Sequence, residues 1–263
     1  MAADDADLAV AEACDAVGSG CRERTGPGGE SLLDFWVPAS SATPRVLEGL
    51  LRGRGIEARV EVATEGDEWR TAMAAFHQPL EVSGRLLVRP PWVAPRPPLL
   101  DVEIEPGMAF GTAQHATTRT CLTLLASLPV EGRVLDAGCG TGVLAIAARR
   151  LGFEDVYGFD FDQLAVDATA DNARRNGVGL TVARRTIGED RLPPADVLLA
   201  NLTGSVLRAL APALAAPAPR RVIASGMRPE EVNGVHAAFA AIGILPVREI
   251  QDEGWSTLLM ERA

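Results

Sequence analysis

Hydrophobic positions follow two different rhythms along the 263-residue chain. Up to Arg89 the segments are short and mixed. Asp7 to Val17 carries an apolar stripe at helical spacing, and the glycine-rich stretch Gly18 to Glu30 reads as a loop. Ser31 to Val37 reads as a strand and Thr43 to Arg54 as a helix, with Pro44 in the first turn where a missing N–H costs little. Ile56 to Ala63 alternates as a strand does, Asp67 to Phe76 is helical, and Arg85 to Arg89 is again a strand. From Arg133 onward the alternation becomes regular. Strands are predicted from Arg133 to the glycine at 138, at Asp155 to Asp160, Leu180 to Arg184, Ala195 to Ala200 and Arg221 to Ser225. Helices are predicted at Val143 to Leu151, Gln163 to Asn176, Val206 to Leu214 and Pro229 to Ile242. Two further strands, Ile244 to Ile250 and Ser256 to Met260, close the chain. Alternating strands and helices predict an α/β fold, a mostly parallel sheet with helices on both faces.

Between the two textures, residues 90–98 carry five prolines. Proline lacks the N–H and fixes φ, so this stretch is neither a helix interior nor a central strand. It reads as a stiff connector. The expected organisation is a smaller N-terminal α+β domain at 1–89, a proline-rich linker at 90–104 and a larger α/β domain at 105–263.

Composition narrows the function classes. The net charge is −10 and every cation is arginine, which argues against a protein that grips nucleic acid through an overall basic surface. Cys14, Cys21, Cys121 and Cys139 form no CxxC pair, match no zinc spacing and make no disulfide framework. No metal site is therefore expected, and a reducing cytoplasm is. No apolar run approaches the ~18 residues of a membrane span. Asp4, Asp5 and Asp7 stand where a signal peptide would need cations.

The strongest chemical signal is Val134-Leu135-Asp136-Ala137-Gly138-Cys139-Gly140-Thr141-Gly142, which follows a strand and opens a helix. Glycines there let backbone N–H groups approach a ligand, and the helix N-terminus adds partial positive charge. A glycine loop alone is shared with dinucleotide enzymes. Here the spacing is GCGTG rather than GxGxxG, Asp136 precedes the first glycine by two, and Asp160 ends the next strand, where a carboxylate can accept both ribose hydroxyls. These features resemble the S-adenosylmethionine (SAM) site of the Rossmann-like methyltransferases. Asp136 reads either as part of that site or as a helix-capping acid, and Asp162 as an N-cap. Asn201 ends the fourth strand of the alternating region, and ligands of such sheets sit at the carboxyl ends of strands. No Pro-Pro-aromatic follows it, which counts against adenine or cytosine methylation. Upstream, Phe110, Gly111, Thr112, His115, Thr117 and Thr118 crowd one short segment ahead of a helix, where hydroxyls and N–H groups suit a carboxylate. His115 has a purely structural hydrogen bond as its alternative reading, and either threonine is also an N-cap candidate.

The ordered blocks PGMAFGTAQHATT, VLDAGCGTGVLAIAA, GFDFDQLAVDATADNARRNGV, DVLLANLTG and the ASGM strand end resemble the ribosomal-protein lysine methyltransferase family, which modifies a large-subunit protein at the base of the stalk. DEWRTAMAAFHQPLEVSGRLLVRPPW is similar to that family's linker region and TLLMER to its closing strand. The resemblance implies a class I SAM-dependent methyltransferase domain with a seven-stranded sheet, behind a ferredoxin-like substrate-recognition domain. It implies SAM contacts at Thr118, Gly138, Asp160 and Asn201, and a substrate-side loop at Phe110, Gly111 and Thr112. Two departures stand out. Ala113-Gln114 and Ala116 replace the family's Gly-Thr and Pro in that loop, and no apolar run before Asp7 supplies the family's opening strand.

The implied reaction transfers methyl from SAM to lysine amines, and to the N-terminal amine, of a large-subunit ribosomal protein. Asn201 is the expected orienting group, with His115 a second candidate. Thr117, Asp136 and Gly140 join the expected SAM site. A monomer without direct nucleic-acid recognition is expected. Another protein or a small molecule is the alternative target.

Overall fold

The structure, a computed structural model, describes residues 22–25, 31–34, 77–105 and 115–263. The chain divides into two compact units, Met1–Ala72 and Met73–Ala263.

In the first unit, β1 (Arg22–Thr25) pairs antiparallel with β2 (Ser31–Asp34), Arg22 opposite Asp34. The first of these strands falls inside the stretch expected to be a loop. Its partner supplies a ladder that the local composition, Arg-Glu-Arg-Thr, does not advertise. The expected helices at Asp7 to Val17, Thr43 to Arg54 and Asp67 to Phe76, and the strand at Ile56 to Ala63, lie outside the described residues.

The second unit opens with a small sheet. β3 (Leu80–Val82) pairs antiparallel with β4 (Leu86–Arg89), which pairs parallel with β5 (Leu100–Glu103). The proline run is therefore the loop between two strands of one sheet, not a connector between domains. Its physical anchor is Arg89, which is buried. The Arg89 guanidinium meets Asp101 through two bonds of 2.6 and 2.7 Å and Glu103 at 3.0 Å, and its remaining nitrogen donates to the carbonyls of Pro90 and Val93. Parallel strands need a long return connection, and proline-rich chain supplies one without a helix. The division between units accordingly falls after Ala72 rather than at 90–104.

The main sheet follows. Its elements are α1 (Ala116–Ser127), β6 (Arg133–Ala137), α2 (Val143–Leu151), β7 (Asp155–Asp160), α3 (Gln163–Arg175) and β8 (Thr181–Arg184). After these come β9 (Val197–Asn201), α4 (Gly204–Ala213), β10 (Arg221–Met227), a 3-10 turn (Pro229–Glu231), α5 (Val232–Ala240), β11 (Ile244–Asp252) and β12 (Trp255–Arg262). The sheet order is β11-β12-β10-β9-β6-β7-β8, and β12 alone runs against its neighbours. This is the expected Rossmann-like architecture of seven mostly parallel strands. β6 and β9 read as near-continuous apolar runs because both of their faces are covered.

Two apolar layers flank the sheet. One joins Val134, Leu199 and Ile223 to Leu122 and Leu125 of α1, Ile146 of α2 and Val82, Leu86, Val88 and Val102 of the small sheet. The other joins Leu135, Leu198 and Val222 to Leu207 and Leu210 of α4 and Val235 and Phe239 of α5. The small sheet thus belongs to the core of the larger unit. Among the described residues, no helix is long and apolar enough to cross a membrane.

Candidate active site

The carboxyl ends of β6, β7, β9 and β10 gather the predicted residues. β6 runs into the glycine loop, where Gly138 and Cys139 both donate backbone N–H to the Phe159 carbonyl, at 2.9 and 3.0 Å. The loop is braced from behind by α3. Thr169 Oγ1 donates to the Gly140 carbonyl at 2.9 Å, and Asn172 Nδ2 to that of Thr141 at 2.9 Å. Asn172 Oδ1 in turn accepts from Glu105 N–H, and Asn176 exchanges two bonds with the Glu103 backbone. Thr169 and Asn172 share the buried face of α3 and were not singled out from the sequence, whereas Asn176, its C-cap, was read only as the end of the helix. Their spacing on an otherwise apolar stripe was the available signal.

Asp160 ends β7 at 8% exposure. Its Oδ2 accepts from Gly140 N–H and its Oδ1 from Asp162 N–H, both at 3.1 Å. The two bonds fix the carboxylate plane and leave lone pairs for further donors. Asp162 caps α3 through Leu164 N–H at 2.9 Å, as expected.

Asp136 caps the helix that follows the glycine loop. It is 1% exposed, and its Oδ2 accepts from Ala145 N–H at 3.0 Å. Gly142 at the N-cap of α2 has no side chain to cap with, so an acid from the adjacent strand serves instead. Burial pushes the Asp136 carboxyl up to about 7, opposed by the Ala145 bond and reinforced by the negative charge of Asp160. Such a group holds its proton in the folded protein where the unfolded chain, with an ordinary carboxyl near 3.9, has lost it. Its contribution to stability is full below about 4 and declines as pH rises to about 7. Asp136→Asn is expected to lose less Tm than the wild type between pH 5 and pH 8. Parallel Tm profiles for the two proteins would exclude this role.

His115 is also a cap. Its Nδ1 accepts from Thr117 N–H at 3.4 Å and lies 2.8 Å from Thr117 Oγ1, so that nitrogen is committed to the start of α1. The ring sits edge-on to Trp255 with centroids 5.0 Å apart, and the Arg228 guanidinium lies 3.8 Å from the Trp255 centroid. Trp255 and Arg228 line this edge although neither was anticipated. A tryptophan at the start of a strand gives no local cue that a strand reversal delivers it here. Thr117, buried, completes the cap.

Asn201 ends β9. Its Nδ2 donates to Oγ1 of buried Thr118 at 3.3 Å, and among the described residues its Oδ1 has no hydrogen-bond partner. The chain after it is clamped. Leu202 N–H donates to the Ser225 carbonyl at 2.9 Å. A Cβ at Gly226, where φ is +87°, would lie 2.4 Å from the Leu202 carbonyl oxygen; one at Gly138, where φ is +71°, would lie 2.4 Å from Leu202 Cδ2. At Gly226 the clash is with backbone, so only glycine fits there; at Gly138 the positive φ favours glycine and the Leu202 side chain packs over it.

The structure brings together Thr118, Gly138, Gly140, Asp160 and Asn201 at one sheet edge. Phe110, Gly111 and Thr112 lie outside the described residues. A glycine loop with close backbone approach, a helix N-terminus and a fixed carboxylate on the next strand suit a nucleoside-bearing cofactor such as SAM.

Comparison with known proteins gives the same direction. The family model described as ribosomal protein L11 methyltransferase (PrmA) matches residues 45–263. The ribosomal protein L11 methyltransferase of Symbiobacterium thermophilum is 38% identical over 200 residues, covering 74% of this chain and 66% of that protein. That of Pelotomaculum thermopropionicum is 40% identical over 221 residues, covering 81% and 71%. The matched region thus spans about two thirds of the length of these relatives. Among solved structures, a ribosomal protein L11 methylase from Lactobacillus delbrueckii subsp. bulgaricus superposes with a TM-score of 0.62 at 26% identity, covering 70% of this chain and 98% of that one. With its family model matched from residue 45 to the last residue, the chain belongs to the ribosomal protein L11 methyltransferase family.

Proposed function

We propose that this protein methylates lysine and N-terminal amines of ribosomal protein L11 in the cytoplasm, with SAM as donor. The observation that carries the reading is Asn201 at the end of β9, its Nδ2 tied to Thr118 and its Oδ1 left open beside the glycine loop. SAM supplies an electrophilic methyl on a sulfonium. The Gly138–Gly140 loop and Asp160 would hold it, Asp160 accepting ribose hydroxyls through lone pairs that Gly140 and Asp162 leave free. The acceptor nitrogen attacks with its lone pair, so a lysine must arrive as the neutral amine. Asn201 Oδ1 accepts an N–H of that amine and aims its lone pair. A partly desolvated edge disfavours the ammonium form, and alignment supplies the remaining acceleration.

Purified protein, SAM and recombinant L11 should give L11 carrying whole methyl increments by intact-mass spectrometry. L11 left unmodified while another protein or small molecule is turned over would redirect the assignment. Asp160→Ala is expected to weaken SAM binding by about tenfold or more, because charge-assisted hydrogen bonds are worth ~1.5–3 kcal/mol. Calorimetry showing unchanged affinity would remove the ribose role.

A further inference from the structure

We propose that Thr169 is a positioning residue for the cofactor, acting on the Asp160 carboxylate through Gly140; the proposal rests on the ribose role given to Asp160 above. Two neighbouring hydroxyls need two acceptor lone pairs, so the rotation of the Asp160 carboxylate decides how well it holds them. One of the two bonds that fix this rotation comes from the Gly140 N–H, at 3.1 Å. Gly140 has no side chain, so its two peptide groups are the only handles on it. The N–H is taken by Asp160, and the carbonyl accepts from Thr169 Oγ1 at 2.9 Å. Releasing the carbonyl lets the residue swing and takes its N–H off the carboxylate.

The surroundings of Thr169 suit this task. A threonine inside a helix ordinarily turns its hydroxyl to the carbonyl one turn back. This one reaches 29 residues back along the chain. Thr169 is fully buried, and its methyl carbon lies 2.8 Å from where a Cβ at Gly142 would stand. Packing under Gly142 selects the side-chain rotamer and aims the hydroxyl at Gly140. The Cys139 sulfur lies 3.3 Å from the same oxygen, which places the hydroxyl against the underside of the loop. Three residues along α3, Asn172 holds the Thr141 carbonyl with one end of its amide and the Glu105 N–H with the other. The helix that carries Thr169 is thereby fixed against the loop it braces.

The test measures the SAM Kd by calorimetry in the full chain, with no acceptor present. Thr169→Ser and Thr169→Ala differ only in the hydroxyl. Alanine is expected to raise the Kd by about 5- to 10-fold, within what one neutral hydrogen bond commands, and serine to stay within about twofold of the wild type. Thr169→Val keeps the bulk of threonine and should match alanine, and it stands in if the space left by alanine prevents folding. A merely structural role would lower Tm and leave the Kd unchanged, and that result would overturn the proposal. A second arm adds Thr169→Ala to Asp160→Ala. If Thr169 acts through the carboxylate, the double variant binds within about twofold of Asp160→Ala alone. Effects that multiply would overturn the proposal and leave the ribose role standing. Wild-type affinity in Asp160→Ala would remove the ribose role and this proposal with it. Without any ligand, the Gly140 amide hydrogen should exchange with solvent at least about fivefold faster in Thr169→Ala than in the wild type or Thr169→Ser. Equal exchange in all three proteins would refute the relay from Thr169 to Asp160.

Discussion

Asn201→Ala is expected to reduce methyl transfer to L11 by about 100-fold or more, equivalent to about 2.7 kcal/mol of barrier, while leaving the fold intact. The amine would lose the acceptor that Asn201 Oδ1 offers at the end of β9, and removing one such preorganised group typically costs about 100- to 1,000-fold. Stability should change little, because Asn201 is only partly buried and its side-chain hydrogen bond runs to a hydroxyl. The discriminating experiment is single-turnover transfer with SAM bound beforehand. A rate within threefold of the wild type would rule out Asn201 as the orienting group. A proportional rise in SAM Kd would instead make it a cofactor contact.

Deleting residues 1–72 is expected to lower methylation of intact L11 by about 100-fold or more while the SAM Kd stays within about twofold. The cut follows the division between the two compact units and not the proline run. Removing residues to 89 would strip β3 and β4 from the core of the larger unit, where Val82, Leu86 and Val88 pack with Leu122 and Ile146. The physical argument is that binding energy from a separate module positions a distant amine. An acidic protein of net charge −10 also favours encounter with a basic partner. A short peptide carrying a target lysine should be methylated equally by both forms. Full activity of the truncated protein on intact L11 would show that the first unit does not recognise the substrate.

Much of the larger unit was legible before its structure. The bounds Val143–Leu151 and Asp155–Asp160 were read correctly because each is a strongly patterned run punctuated by glycine or an acid. Asp162 was legible as a cap because capping is local chemistry. β3 and β5 were not legible. They are three and four residues long, and β5 is completed by a parallel partner across the proline loop. The candidate site shows the same divide. Asp160 and Asn201 each end a strand and Gly138 directly follows one, and the order of strands placed them at one edge. Thr169, Asn172 and Trp255 act only through partners distant in the chain.

By itself the sequence determined the α/β alternation, the glycine loop, the acid on the following strand and the family resemblance. All of these rest on residue periodicity and on backbone conformations that particular residues allow. The tertiary structure alone decided which partners these polar groups meet. Asp136 and His115 each read either as a site residue or as a structural group, and the structure shows the bonds they make to Ala145 and Thr117 as caps, while Thr118 and Asn201 meet side chain to side chain. A hydrogen-bonding side chain has few bonds to offer. Which neighbour claims them depends on distances across the fold, and no local pattern encodes those.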